Sequence, residues 1–227
     1  MAYRRTAFAV GEWYHGYTRT IDKSRPFEQQ NNIERFLETL YLANNANPIP
    51  RIPELHETYS HDEIFTIPRE KQLVSIGAYC IMPTHYHILA QPLTDSGMTV
   101  FMHKLGTSFT RAYNAQNDRV GNLFVKPFRS KHVSDDAYFR RVSQYIHLNP
   151  VELFEPQWKR GIIHSPDVEA QLRSYRHSSL IDYEGNERPQ RAILHPDAMA
   201  LVGDSSTNLA DLLEEMVEYY QFLDLDL

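Results

Sequence analysis

Three features of the chain predict an α+β fold. Two strand-like runs, Leu73 to Ile81 and His85 to Gln91, are joined by Met82-Pro83-Thr84 and read as an antiparallel hairpin. Apolar stripes at helical spacing flank them, with Ile33, Phe36, Leu37, Leu40 and Tyr41 before and Met98, Phe101, Met102, Leu105, Phe109 and Ala112 after. An aromatic run opens the chain, so strands and helices alternate along it.

Phe8 to Arg19 reads as the first strand, bent where Gly11 and Gly16 interrupt Trp13, Tyr14 and Tyr17. The first helix ends near Asn44-Asn45-Ala46-Asn47-Pro48. From Ile49 to Glu70, Pro50, Pro53 and Pro68 break every periodicity, which predicts an irregular insertion with one short helical turn around His61-Asp62-Glu63. The second helix follows Thr94-Asp95-Ser96-Gly97, and Leu123 to Val133 reads as a further strand. Ser134-Asp135-Asp136 caps a helix that runs from Ala137 until Pro150 stops it. Near the end, Leu209, Leu212, Leu213, Met216, Val217 and Tyr220 make an apolar stripe behind an Asn208 cap, with Asp211, Glu214, Glu215 and Glu218 opposite. The expected organisation is one domain over residues 1–186, carrying the insertion at about 49–70, and an acidic helical extension over 187–227.

The 227 residues can bury a sizeable core. No apolar run approaches the roughly 18 residues of a membrane span, and the first residues lack the apolar core of a secretion signal, so a cytoplasmic protein with no membrane partner is expected. The single cysteine, Cys80, excludes an intrachain disulfide and a cysteine-based zinc cluster. A net charge of −6 disfavours a nucleic-acid partner until its distribution is read. From Ala192 onward there are eight acids and no Lys or Arg, whereas Phe101 to Pro150 holds eight bases against three acids. Lys104, Arg111, Lys126, Arg129, Lys131, Arg140 and Arg141 are therefore candidate DNA-binding residues. The acidic tail could compete with DNA for that basic face.

His85-Tyr86-His87 carries the chemistry. Side chains alternate along a strand, so both imidazoles point one way and Tyr86 points the other. Tyr145 and Asn149 stand one helical turn apart on the last helix before Pro150. A phenol ordinarily titrating near 10 attacks poorly at neutral pH unless a cation activates the electrophile, and two histidines are suited to hold one. Asn149 could add a carbonyl oxygen as third ligand. Tyr138 shares the Tyr145 stripe, but the residue one turn later is Val142, which cannot bind metal. His147 projects off the stripe, which suggests a surface or DNA-contacting role. His103, His132, His164, His177 and His195 have no partner that spacing reveals.

These segments resemble a known family. Met82-Pro83-Thr84-His85-Tyr86-His87 is similar to the signature of the HUH endonucleases, and Tyr145-Ile146-His147-Leu148-Asn149-Pro150-Val151 to that of the REP-associated tyrosine transposase branch. Gly11-Glu12-Trp13-Tyr14-His15 with Arg19, Gly121-Asn122-Leu123-Phe124 and Ser174-Tyr175-Arg176-His177-Ser178-Ser179 fit the same group in order and spacing. The resemblance implies a ferredoxin-like antiparallel sheet with helices on one face. It implies a single-stranded DNA endonuclease and strand transferase that depends on Mg2+ or Mn2+, with Tyr145 as nucleophile and His85, His87 and Asn149 as metal ligands. Tyrosine attack would give a covalent 5′-phosphotyrosine. Single-stranded or hairpin DNA is the implied partner, with homodimer and monomer both open. Thr84 stands where asparagine is commoner in the family, and Val151-Glu152-Leu153 lacks its usual basic residue and glycine. Two other classes fit parts of the pattern: a catalytically inactive nucleic-acid-binding protein of the same fold, and a small-molecule metalloenzyme suggested by the His pair alone.

Overall fold

The structure, a computed structural model, describes residues 7–161, 167–202 and 209–224. Strand β1 (Trp13–Arg19) leads through a loop into α1 (Gln30–Ala43), followed by the short helices α2 (Ile52–Leu55) and α3 (His61–Ile64). The hairpin is β2 (Val74–Met82) and β3 (His85–Pro92); α4 (Gly97–Gln116) and β4 (Arg129–Val133) complete the sheet. Helix α5 (Asp136–Leu148) precedes α6 (Val151–Phe154), α7 (Val168–Ser174), α8 (Leu180–Tyr183), α9 (Pro196–Val202) and α10 (Leu209–Asp224).

All three strand pairings are antiparallel, in the order β2-β3-β1-β4. With the chain order β1-α1-β2-β3-α4-β4 this is the split βαβ arrangement of ferredoxin-like folds. β3 is interior, as expected for the strand with the His pair. Even-numbered β3 residues (Tyr86, Ile88, Ala90) bury against Phe36 and Leu40 of α1 and Phe101 and Leu105 of α4. The opposite face packs Ala78, Cys80, Met82 and Leu89 against Phe139, Val142 and Ile146 of α5. The expected one-face helix layer is thus α1 with α4, and α5 adds a layer on the other face because its own apolar stripe must also leave water. Gly77 lets α5 approach: a Cβ there would stand 3.3 Å from Phe139 and from Trp13, and the β2–β3 register shifts at this residue.

The regular last strand is shorter than the sequence suggests. Over Leu123–Phe128 the chain makes one bridge, Thr20 to Phe124, and a cis Lys126–Pro127 bond, and ladder pairing begins at Arg129. Proline lacks the N–H that a ladder needs. The insertion holds two helical turns rather than one. Ser60 and Glu63 cap α3 reciprocally, and Ile52 and Ile64 are buried. His61 and His56 both reach the buried Glu38 of α1, at 2.8 and 3.0 Å. Helix α10 docks on this same chain, with Leu212, Leu213 and Met216 buried beside Trp158, Leu148 and Leu180. Its Asp211, Glu214, Glu215 and Glu218 face solvent. The Asn208 cap and the Tyr220 side chain lie outside the described residues.

Segment 178–191 is pinned to β2 by a buried ion pair. Arg188 grips both Asp182 oxygens at 2.7 Å and donates to the Tyr79 hydroxyl at 3.0 Å; the pair is 6% and 0% exposed. Asp182→Ala strands a buried guanidinium and is expected to cost about 3–5 kcal/mol in urea unfolding. A loss under 1 kcal/mol would show that water reaches Arg188.

Candidate active site

The site forms where β1, β3 and α5 meet. Register places Tyr17 opposite His87 and Arg19 opposite His85, so His15, Tyr17, Arg19, His85 and His87 share the sheet face that α5 covers. Asp135 caps α5 by accepting from the Tyr138 N–H, which fixes where the helix starts and hence which residues look down on the sheet. Nine residues on, the Tyr145 ring lies edge-on to His87, centroids 5.5 Å apart at 90°. It also lies 5.6 Å from His15. The half-buried phenol and both imidazoles come from one chain.

Each histidine of the pair has one ring nitrogen engaged. His87 Nδ1 is 2.8 Å from His15 Nε2, and His85 Nδ1 is 3.0 Å from the Thr84 hydroxyl. His87 Nε2 is buried with no hydrogen-bond partner among the described residues. A buried imidazole nitrogen without a partner is costly, and the tautomer that donates from Nδ1 to His15 leaves a lone pair on Nε2. That is the arrangement a metal-binding histidine requires, with the second nitrogen held by a neighbour. Thr84, the departure from the family pattern, supplies such a neighbour for His85.

Electrostatics keep these rings neutral. Burial, then repulsion from His15, His85 and Lys159, holds His87 well below its usual value. Burial and Lys131 lower His15 to about 4. Burial lowers His85 against the opposing pull of Glu152, with Lys159 and Arg19 adding to the fall. Neutral imidazoles at neutral pH are ligand-competent. Glu152 and Lys159, which pair at 2.8 Å, border the site.

Asn149 caps α5 and is 2% exposed. Its amide nitrogen donates to the Tyr145 carbonyl at 2.8 Å, which leaves the amide oxygen as the atom with acceptor capacity. Among the described residues no group of three His, Cys, Asp or Glu side chains could hold a metal ion, so a cation here needs an amide or substrate oxygen beside the imidazoles.

The basic residues divide between two faces. Arg129 and Lys131, opposite Tyr17 and His15 on edge strand β4, belong to the Tyr145 face, and Lys131 lies 5.4 Å from the Tyr138 ring. Arg140 and Arg141 are exposed on α5. Lys104 and Arg111 are on α4, across the sheet, where Lys104 donates to the carbonyls of Asn45 and Asn47. Lys126 is exposed in the irregular segment before β4.

His147 departs from expectation. It is 5% exposed, its Nε2 lies 2.8 Å from the Ser179 hydroxyl, and Ser179 in turn bonds Tyr79 of β2. The residue ties α5 to the sheet, because the side of α5 away from the Tyr145 stripe is covered by segment 178–183. Burial depresses its pKa to about 3. An unfolded histidine protonates near 6.5, so stability is full above that pH and falls as pH drops toward 3. Between pH 7.5 and 5 His147 alone is expected to contribute a loss of about 2 kcal/mol, read by urea unfolding as the part of the pH dependence that disappears in His147→Gln. An unchanged pH slope in the variant would assign the loss elsewhere. His132 pairs with Glu12 at 2.7 Å, and His164 lies outside the described residues.

His15 and Tyr17 are site residues that spacing did not assign. His15 stands in the Trp13-Tyr14-His15 motif, and alternation put Tyr17 and Arg19 on its face; the cross-strand register, which no local pattern reveals, was the missing step.

Neither a protein-family model nor a curated protein matches the chain. A solved structure does, described as a REP-associated tyrosine transposase bound to a REP hairpin. The two are 14% identical with a TM-score of 0.53, over 82% of this chain and 87% of that one. This chain has the transposase's fold. At such identity the likeness speaks for backbone architecture, and the side-chain geometry above carries the chemistry. No described helix is long and apolar enough to cross a membrane.

Proposed function

We propose that the protein is a metal-dependent single-stranded DNA endonuclease and strand transferase that works through a 5′-phosphotyrosine, on hairpin-forming repeat DNA. The observation that carries this reading is the Tyr145 ring set 5.5 Å from His87, whose buried Nε2 has no hydrogen-bond partner among the described residues. His85, His87 and the Asn149 oxygen would hold a divalent ion, Mg2+ or Mn2+, which when bound polarises the scissile phosphate. Imidazole ligands favour Mn2+.

The chain's own groups do the rest. Tyr145 Oη forms a bond to phosphorus as the bond to the 3′ oxygen breaks, and the phenolic proton ends on that 3′ oxygen. No water or nucleotide is consumed, since the phosphodiester energy stays in the phosphotyrosine; attack by a 3′-hydroxyl reverses the step and joins strands. Arg129 and Lys131 line the same face and would hold flanking phosphates. In this reading the phenol and imidazoles that approach one another within one chain act together.

The test incubates the protein with hairpin-bearing single strands and Mn2+, then separates products under denaturing conditions. A DNA-linked species whose tryptic peptide contains Tyr145 is the expected result. Retarded DNA with no covalent species under any divalent ion would instead identify an inactive nucleic-acid-binding protein of this fold.

A further inference from the structure

Behind the His pair, on the α1/α4 face of the sheet, lies a cavity of about 410 Å3. Its floor is Tyr86, Met102 and Phe124; one wall is α4, with Thr99, His103, Gly106 and Thr107, and the other is Lys126-Pro127-Phe128. We infer that this cavity binds an unpaired nucleobase of the DNA strand, an inference that rests on the reading of the protein as a DNA-processing enzyme.

Three observations point to that occupant. The lining is apolar and aromatic, which suits the face of a planar heterocycle. Tyr86 is 1% exposed, and its hydroxyl has no hydrogen-bond partner among the described residues. That hydroxyl belongs to the cavity lining and can donate to a ligand acceptor, and the threonine hydroxyls and imidazole of the α4 wall add donors and acceptors for a base edge. The surroundings are cationic. His103 and Thr107 also line an adjoining groove of about 750 Å3 that carries Lys104 and Arg111, together with Arg35 and Arg51, which pair with Glu38 and Glu54. On the other side Lys126 leads along the chain to Arg129 and Lys131, which face Tyr145. A polynucleotide wrapped around the β4 edge would meet positive charge on both faces and place a base here. This accounts for Lys104, Arg111 and Lys126, which lie away from the Tyr145 face.

Gly106 provides the handle. A Cβ added there meets nothing within 4 Å, so alanine fits and favours the helix, whereas leucine projects into the cavity. Short single strands carrying 5-iodouracil, 5-iodocytosine, 8-bromoadenine or 8-bromoguanine at one position are irradiated with the protein, and the peptides are mapped by mass spectrometry. Crosslinks to Tyr86, Phe124 or Phe128 are expected, retained in Gly106→Ala and reduced about tenfold or more in Gly106→Leu, with thermal melting confirming that both variants fold. Absence of crosslinks, crosslinks confined to other surfaces, or equal labelling of folded Gly106→Leu overturns the assignment. Tyr145 adduct formation is scored separately. A missing adduct alongside a cavity crosslink overturns the nuclease reading alone, and an adduct without a cavity crosslink overturns the cavity alone.

Discussion

Tyr145→Phe is expected to abolish the covalent DNA species, lowering cleavage by at least about 10⁴-fold, as loss of a nucleophile does. Affinity for uncleaved DNA should stay within about threefold, because the basic residues are untouched. The reason for expecting so clean a separation lies in the packing. The Tyr145 ring packs against the cluster of Leu148, Trp158 and Met216 and against that of Phe139, Val142 and Ile146. Phenylalanine keeps those contacts, and losing one hydroxyl costs about 1 kcal/mol of stability. Tyr138→Phe is the matched control: that ring sits two turns earlier, by Lys131, with Val142 where a ligand would be needed. An adduct that survived in Tyr145→Phe and vanished in Tyr138→Phe would move the nucleophile and dissolve the proposed grouping.

The hairpin, both long amphipathic helices and the interior position of β3 were legible because each is a local pattern: alternation, a 3.6-residue stripe, a turn between two runs. The helix over 136–148 was legible for the same reason, with its acidic cap and its proline stop. Other features depended on distant partners. Whether His147 met solvent or protein was decided by segment 178–183, thirty residues on, and its buried bond to Ser179 could not be read from its own helix. His15 stood in a recognisable motif, yet its bond to His87 needed the antiparallel register between β1 and β3. The second helix layer needed knowledge of which sheet face was still uncovered after α1 and α4 packed. The basic run was visible as charge, but helix α4 and strand β4 distribute it over two faces. The cavity behind Tyr86 was not legible at all, since its lining is assembled from β1, β3, α4 and the segment before β4, which only the tertiary fold brings together.

His87→Ala and His15→Gln are expected to fail differently, and the difference tests how the imidazole pair works. His87→Ala removes the buried Nε2 itself, so cleavage should be lost at every Mn2+ concentration, and calorimetry should show Mn2+ affinity reduced well beyond 100-fold. His15 lies one bond further out. Its Nε2, 2.8 Å from His87 Nδ1, fixes which nitrogen of His87 carries the lone pair. Losing such a supporting partner typically weakens metal binding by about 10–100-fold without removing a ligand. His15→Gln keeps a polar side chain that can meet Nδ1, so its cleavage should return toward wild type at saturating Mn2+, with the apparent metal constant shifted and the limiting rate nearly intact. A merely structural role for His15 would instead lower melting temperature and limiting rate together and leave the metal constant in place. If His87→Ala bound Mn2+ as the wild type does, the unpartnered nitrogen would have to serve the DNA directly, and the metal ligands would have to be sought elsewhere.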